Sequence, residues 1–516
     1  MTVKFYVQKL RSVGTRTILS MKFLIRNTNN QLFSPFSGLG FSAAGRFNVW
    51  WVWPKIIPIV VSLLLLPGFH LNAQDSSLTT SNIYGVVEGF WLPDAVCELH
   101  PGWERIIFDW SQHQPNGPDD WYTLNVDDRW LAAARACERE VVAIFKHTPA
   151  WATDGTPGPG VPKGLYLPVD DPGNYWARFV RKSAEYYKPR GVNRFIIWNE
   201  PDITRDTYGF EFEGSLDDYF QMLKVAYLSL KEGNPDAEVI LAGTTYWHDV
   251  NTGRRLYIDR LLERIQADPD AAKNDDYFNV LSLHIYFRAE TVYDIVHAMC
   301  ELLDKYGLQD KRIWINEMNA GPTDDPLWPV IRPQYQIDLA QQSAYLVQAV
   351  ALGLAAGAER MAVYKFYDWN LPPGSETFGL IRADGSRRPA FDTWAMIIQR
   401  LNGVKQAVRA QSDDVDVVRL THDDGHQTII AWTKTAAAVQ LQVTGVSGET
   451  TLLDQYGNEA PLQAVNDNYQ LSLVGARCNK VDKCAVGGNT QLLVLPPGDV
   501  TVQEVRSGQL TDLTFE

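Results

Sequence analysis

The 516-residue sequence is poor in cysteine, with five, and contains no CxxC pair and no Cys/His cluster at zinc spacing. That excludes a scaffold built on disulfides and a zinc-held module. No Gly-rich phosphate turn follows the first strand-like run, which argues against an open dinucleotide-binding sheet. Internal repeats, low-complexity tracts and charge blocks long enough to form a tail are missing as well. Basic residues are in deficit, 47 Lys and Arg against 61 Asp and Glu, for a formal net charge of −14. A protein whose main work is gripping nucleic-acid phosphates is therefore excluded. What is present is a globular balance, 45% hydrophobic and 21% charged, over a length that calls for two domains. Seventeen Trp and 22 Tyr stand out. Such rings suit large cores and the faces of sugars equally.

The most local absence is of acid. Nothing acidic precedes Asp75, whereas Lys4, Lys9, Arg11, Arg16, Lys22, Arg26, Arg46 and Lys55 do. An apolar run from Ile56 to Phe69 follows, broken by Pro67-Gly68 and ended by Leu71-Asn72-Ala73-Gln74. Basic flank, short apolar segment, breaker and small residue are the order of a secretory signal cut after Ala73. The rival is an uncleaved membrane anchor spanning 1–74, and Met21 offers a second translation start. Either reading sends the rest of the chain out of the cytoplasm, to the periplasm, the cell surface or the medium. Cys478 and Cys484 bracket a polar loop and form a disulfide if that compartment is oxidising. Cys97, Cys137 and Cys300 read as buried free thiols.

From residue 83 short apolar runs alternate with amphipathic stretches. The strands are expected at Ile83–Gly89, Arg105–Ser111, Val141–Thr148, Arg194–Asn199, Glu238–Thr244, Val280–Phe287, Arg312–Asn316 and Met361–Tyr367. Their near-continuous apolar character is that of parallel strands covered on both faces. Asn174–Tyr187, Leu216–Glu232, Ala289–Lys305 and Gln336–Ala356 carry helical periodicity between them, and Pro389–Leu401 is the last helix. Eight such units give an α/β fold, a (β/α)8 TIM barrel over 75–403. Beyond Gly403 the period changes to two, as in Val415–Leu420, Thr428–Trp432, Val439–Val443 and Gln491–Leu495, so 404–516 reads as a small antiparallel β-sandwich.

In a barrel the C-terminal ends of the strands face the active site. The fourth strand ends Trp198-Asn199-Glu200-Pro201 and the seventh ends Ile315-Asn316-Glu317. A carboxylate placed directly after a buried strand is costly unless paired, bonded or put to work. This pair resembles the clan of retaining barrel glycosidases with glutamates at strands four and seven. Within it, the chain is most similar to glycoside hydrolase family 39 and related bacterial exopolysaccharide endoglycosidases. The resemblance covers 83–403, and the endoglycosidases share the order signal, barrel, β-rich domain. It implies that Glu200 is the acid/base, that Glu317 is the nucleophile, and that Asn199 holds the sugar 2-hydroxyl. Two carboxylates suit the chemistry, because one must protonate the leaving oxygen while the other stabilises or attacks the anomeric carbon.

The remaining candidates follow the same logic. His284 and Tyr286 lie two apart at the end of strand six and so point the same way. The resemblance puts the tyrosine hydroxyl on the nucleophile and an arginine, Arg105, beside it. Asp109, at the rim of strand two, His147 and Trp151, in a Thr-Pro-x-Trp segment, and Trp369, after strand eight, are implied as substrate-binding residues, with Tyr367 second to Trp369. Acidic doublets such as Asp119-Asp120 and Asp170-Asp171 lack the Gly and terminal Glu of a calcium loop, so no metal site is expected. The expected partner is an oligo- or polysaccharide, cut internally or trimmed from its end as by a β-xylosidase, with no cofactor. The alternative is a carbohydrate-binding protein that keeps the barrel without turnover.

Overall fold

The computed structural model describes residues 82–372, 374–479 and 484–516. The basic leader, its apolar run and the cut after Ala73 lie outside them. Among the described residues no helix is long and apolar enough to cross a membrane.

Eight parallel strands close into a barrel in sequence order: β1 (Tyr84–Val87), β2 (Trp103–Asp109), β3 (Glu140–Lys146), β4 (Arg194–Ile197), β5 (Glu238–Leu241), β6 (Val280–Tyr286), β7 (Arg312–Asn319) and β8 (Arg360–Val363), which pairs back onto β1. Alternation sorts the side chains. Trp103 and Ile107 of β2, Ile144 of β3, Ile196 of β4 and Trp314 of β7 meet inside the barrel, whereas Ile106, Phe108, Phe145 and Ile197 face the helices. Trp103 and Trp314 fill the lower barrel, with ring centroids 5.3 Å apart. Below them Arg194, Arg312 and Arg360 alternate with Glu140 and Glu238, each on the first residue of its strand. This plug at the N-terminal end is structural, which leaves the opposite end for chemistry.

The strands differ from the sequence expectation mainly at their ends: β2 begins two residues earlier, at Trp103, and β7 runs on to Asn319. The second difference concerns sulfur. Cys97 and Cys137 are a disulfide, not free thiols, because helix Pro93–Leu99 and the end of helix Asp128–Ala136 are neighbours in the outer ring. Cys478 and Cys484 are also bonded, and Cys300 is free.

Helix Pro389–Arg400 closes the barrel, and ten antiparallel strands follow. β9 (Val404–Gln411), β10 (Val415–His422), β11 (Gln427–Thr433), β12 (Val439–Thr444), β13 (Glu449–Asp454), β14 (Glu459–Gln463), β15 (Asn468–Leu473), β16 (Gln491–Leu495), β17 (Thr501–Arg506) and β18 (Gln509–Leu513) form two sheets. The six-stranded sheet has the order β14-β13-β16-β11-β10-β9 and the four-stranded sheet β15-β12-β17-β18. Val417, Ile429, Ala431 and Leu493 pack between the sheets, whereas Val418, Leu420, Ile430 and Trp432 join the barrel core. Both faces of β11 are therefore covered, which is why Ile429-Ile430-Ala431-Trp432 is apolar throughout instead of following the period of two expected there. Helix Leu339–Ala355, wedged against that seam, is buried on nearly every side for the same reason.

Candidate active site

Glu200 and Glu317 share an Asn-Glu dipeptide but reach the C-terminal end of the barrel by different backbone devices. After β4 the chain turns sharply, with Trp198 and Glu200 both in the left-handed region (φ 73° and 40°). The turn stays in step with its neighbours, since Trp198 N–H donates to Phe145 O at 3.0 Å and Glu200 N–H to Gly243 O at 3.1 Å. In β7 the device is a bulge. Leu283 of β6 pairs with Ile315 but His284 pairs with Glu317, so Asn316 is the extra residue. Trp314 points into the barrel and Ile315 outward, so strict alternation would send Glu317 toward the helices. The inserted residue resets the phase and turns Glu317 toward His284 and Glu200.

The side chains then converge. Glu317, 5% exposed, has one oxygen in an ion pair with Arg105 and the other accepting from the Tyr286 hydroxyl. His284 Nδ1 lies 2.6 Å from Glu200 Oε1 and 3.5 Å from Glu317 Oε2. Oxygens of the two carboxyls and this nitrogen all lie within 4.8 Å of one another. His284 fits only because residue 243 is glycine: a Cβ there would collide with the imidazole. Burial would raise the Glu317 carboxyl, but the charges of Arg105 and His284 and the Tyr286 hydrogen bond outweigh it and hold the group below the usual carboxylate range. Burial acts to depress His284, and the charges of Glu317 and Glu200 reverse the balance and raise it. Tyr286, buried beside Glu317, is pushed well above the phenol range and stays a donor.

Glu200, His284 and Glu317 are also a metal-sized constellation. Their atoms are already committed: both Glu317 oxygens are taken, one by a guanidinium, and His284 Nδ1 is spent on Glu200. The donor set is arranged for hydrogen bonding and proton handling, and a dication would lie beside the buried charge of Arg105.

The other expected residues fall into separate groups. Asn199 is nearly buried, and its amide makes no hydrogen bond among the described residues, which leaves it free for a ligand. Asp109 caps helix Trp110–His113 through Gln112 and bonds His147 Nδ1 at 2.7 Å. Burial opposes the Asp109 charge, but His147 and Ser111 hold its carboxyl below the usual range. Trp151 is tied down, its indole donating to Gln114 O at 2.6 Å while its ring meets Trp110 and Tyr175 edge-on. Trp369 is half exposed and lies flat on Trp91, with centroids 4.7 Å apart and planes 1° from parallel. Tyr367 turns its hydroxyl to Ala383 O. Sequence reasoning missed Trp91, Gly243, the Asn316 bulge and Tyr364, whose ring meets Tyr286 edge-on at 5.9 Å. A glycine inside the strand expected over Glu238–Thr244 was the one signal available for Gly243.

No protein-family model matches the chain, and no curated protein matches it. Solved structures do. A family 39 glycoside hydrolase from Bacteroides cellulosilyticus WH2 is similar over 81% of this chain and 82% of its own, at 16% identity and TM-score 0.60. The family 39 enzyme from Xanthomonas axonopodis pv. citri is similar over 81% and 94%, at 13% identity and TM-score 0.52. A family 30 endoxylanase from Clostridium papyrosolvens C71 is similar over 81% and 97%, at 13% identity and TM-score 0.51. These likenesses establish the fold class, the TIM barrel with appended β-sandwich in which clan A glycoside hydrolases are built.

Proposed function

We propose that the chain is an exported retaining glycoside hydrolase acting by double displacement, with Glu317 as nucleophile and Glu200 as acid/base. The observation that carries this reading is the approach of the two carboxyls, with oxygens within 4.8 Å. Retaining enzymes hold their carboxyls ~5–5.5 Å apart, whereas inverting ones need ~6.5–9.5 Å to admit a water. Glu317, kept ionised by Arg105 and Tyr286, attacks the anomeric carbon as Glu200 gives its proton to the leaving oxygen. The ester that forms removes the Glu317 charge, and Glu200 then takes a proton from the incoming water. His284, bonded to Glu200 and within 3.5 Å of Glu317, positions the first while sensing the charge of the second. The free Asn199 amide is placed to hold the sugar 2-hydroxyl.

Two disulfides support export, since such bonds persist in oxidising compartments. The rim supports internal cutting of a polysaccharide. Tyr166, Tyr208, Leu327, Ile331 and Trp369 stand exposed in the loops after β3, β4, β7 and β8, apolar surface at the end of the barrel that carries the two carboxyls. Sizing the products of polymer digestion checks this: early release of long fragments is expected, and monosaccharide as the first product refutes it. The mechanism is tested with Glu317→Gly, which should be inert on an aryl glycoside and regain turnover with azide, giving a glycosyl azide of inverted configuration. A product of retained configuration, or near-normal turnover without azide, would overturn the assignment.

A further inference from the structure

A cavity of about 540 Å³ lies between the segment after β6 and the six-stranded sheet, within the ~300–1,000 Å³ typical of small-ligand sites. None of the Glu200–Glu317 cluster lines it. Arg288, Glu290 and Tyr335 form the barrel wall, and Arg409, Gln411 and Trp432 the sheet wall. The walls are fixed to each other. Ala289 N–H donates to Ala485 O at 3.0 Å, and Gln348 bonds Gly487 N and Gly488 O at 3.0 and 2.9 Å. The Cys478–Cys484 disulfide anchors the loop that carries Ala485.

The lining is polar, and two of its ion pairs are closed within it. Asp416 clasps Arg409 with two contacts, at 2.7 and 3.0 Å, and Glu290 Oε1 takes Arg288 at 2.8 Å. Four acids, Glu290, Asp294, Asp413 and Asp416, face three bases, Arg288, Arg409 and Lys434, so the cavity offers an anion no net attraction. Glu290 Oε2 is buried and has no hydrogen-bond partner among the described residues.

We propose that this cavity is a second, non-catalytic site for a hydroxyl-rich saccharide segment bearing no negative charge. The choice of saccharide rests on the glycosidase reading; the existence of a site does not. Amide, carboxylate and guanidinium groups are planar, two-pronged partners for neighbouring hydroxyls. Tyr335, one face of which is covered by Phe287, adds aromatic surface at the barrel wall. The spare Glu290 oxygen takes a hydroxyl or an ammonium hydrogen.

The test is calorimetric titration of full-length Glu317→Gln protein, which cannot turn over, with xylotriose, glucosamine trimer and trigalacturonate. Xylotriose or glucosamine trimer should show a saturable binding event that Gln411→Trp, filling the cavity from its exposed rim, abolishes and Asn199→Ala leaves intact. Binding of glucosamine trimer alone would mean that the Glu290 oxygen reads an ammonium group. The isosteric Glu290→Gln should weaken the event about tenfold, the value of one hydrogen bond to a charged group. Aryl-glycoside hydrolysis by enzyme carrying only Gln411→Trp should be unchanged. Binding that neither cavity variant alters, no binding by either trimer, or preference of this site for trigalacturonate overturns the proposal. Failure of the catalytic reading shows elsewhere, in the azide experiment.

Discussion

Glu200 and Glu317 follow asparagines at the tops of two strands of one barrel, yet their surroundings diverge. Glu317 is clasped on both oxygens, its side chain 7% exposed, whereas Glu200 keeps a single partner, His284, and is 16% exposed. The bulged strand delivers a charge that is fixed and fully bonded. The left-handed turn delivers a carboxyl with one oxygen uncommitted among the described residues, against the β4 loop at Gly209, where a Cβ would lie 3.7 Å away. A nucleophile has to be ionised and aimed, while an acid/base needs room to exchange its proton with substrate. On the proposed mechanism, the same residue type is sorted into two roles by its backbone and neighbours.

The comparison breaks first under substitution of each carboxyl. Glu317→Gln should cost about 10⁴-fold or more in kcat on every substrate, because no covalent intermediate forms without it. Glu200→Gln should cost about 10²–10⁴-fold on a natural glycan, the usual worth of general acid–base catalysis. On an aryl glycoside with a good leaving group, glycosylation should be nearly spared and a burst should appear, because that leaving group needs no proton. Equal losses for both variants on both substrates would erase the division of labour.

How much of this was legible in the sequence differs strand by strand. The eight apolar runs and the switch to period two beyond Gly403 reflect burial, which composition records directly. The Asn-Glu pairs stood out because a carboxylate after a buried strand conflicts with the local pattern. The bulge at Asn316 was invisible: an extra residue in an apolar strand changes phase without changing composition, and only pairing with His284 reveals it. Arg105 could be suspected beside Glu317 by resemblance, but two side chains 212 positions apart meet only when the barrel closes. The Cys97–Cys137 bond failed for a similar reason, since a sequence separation of 40 says nothing about helix adjacency. Trp369 was expected as a substrate-binding residue, and Trp91, which covers one of its faces, carried no signal in sequence.

Arg105 sharpens the comparison next. Arg105→Met leaves Glu317 buried without its counter-charge, a loss of about 3–5 kcal/mol of stability near neutral pH. The pH dependence should change sign with it. In the native protein Glu317 lies below its unfolded value, so its share of stability is present above ~4.3 and is lost as pH falls through the lowered value. In Arg105→Met burial dominates and the carboxyl rises above that value, so its share is present at low pH and lost as pH climbs. Melting temperatures between pH 4 and 8 for the two proteins should therefore diverge toward the alkaline end. A constant offset would mean that Arg105 acts by packing alone.

Tyr286→Phe is the mildest of the three. It keeps the ring against Tyr364 and Phe378 and removes only the hydroxyl on Glu317. One hydrogen bond to a charged group is worth ~1.5–3 kcal/mol, so kcat should fall about 10- to 100-fold. Losing that donor raises the Glu317 carboxyl, so the acid limb of kcat/KM should move to higher pH, by less than in Arg105→Met because the arginine charge contributes more than the phenol. An acid limb that stays in place in both variants would show that Arg105 and Tyr286 do not set the charge of Glu317.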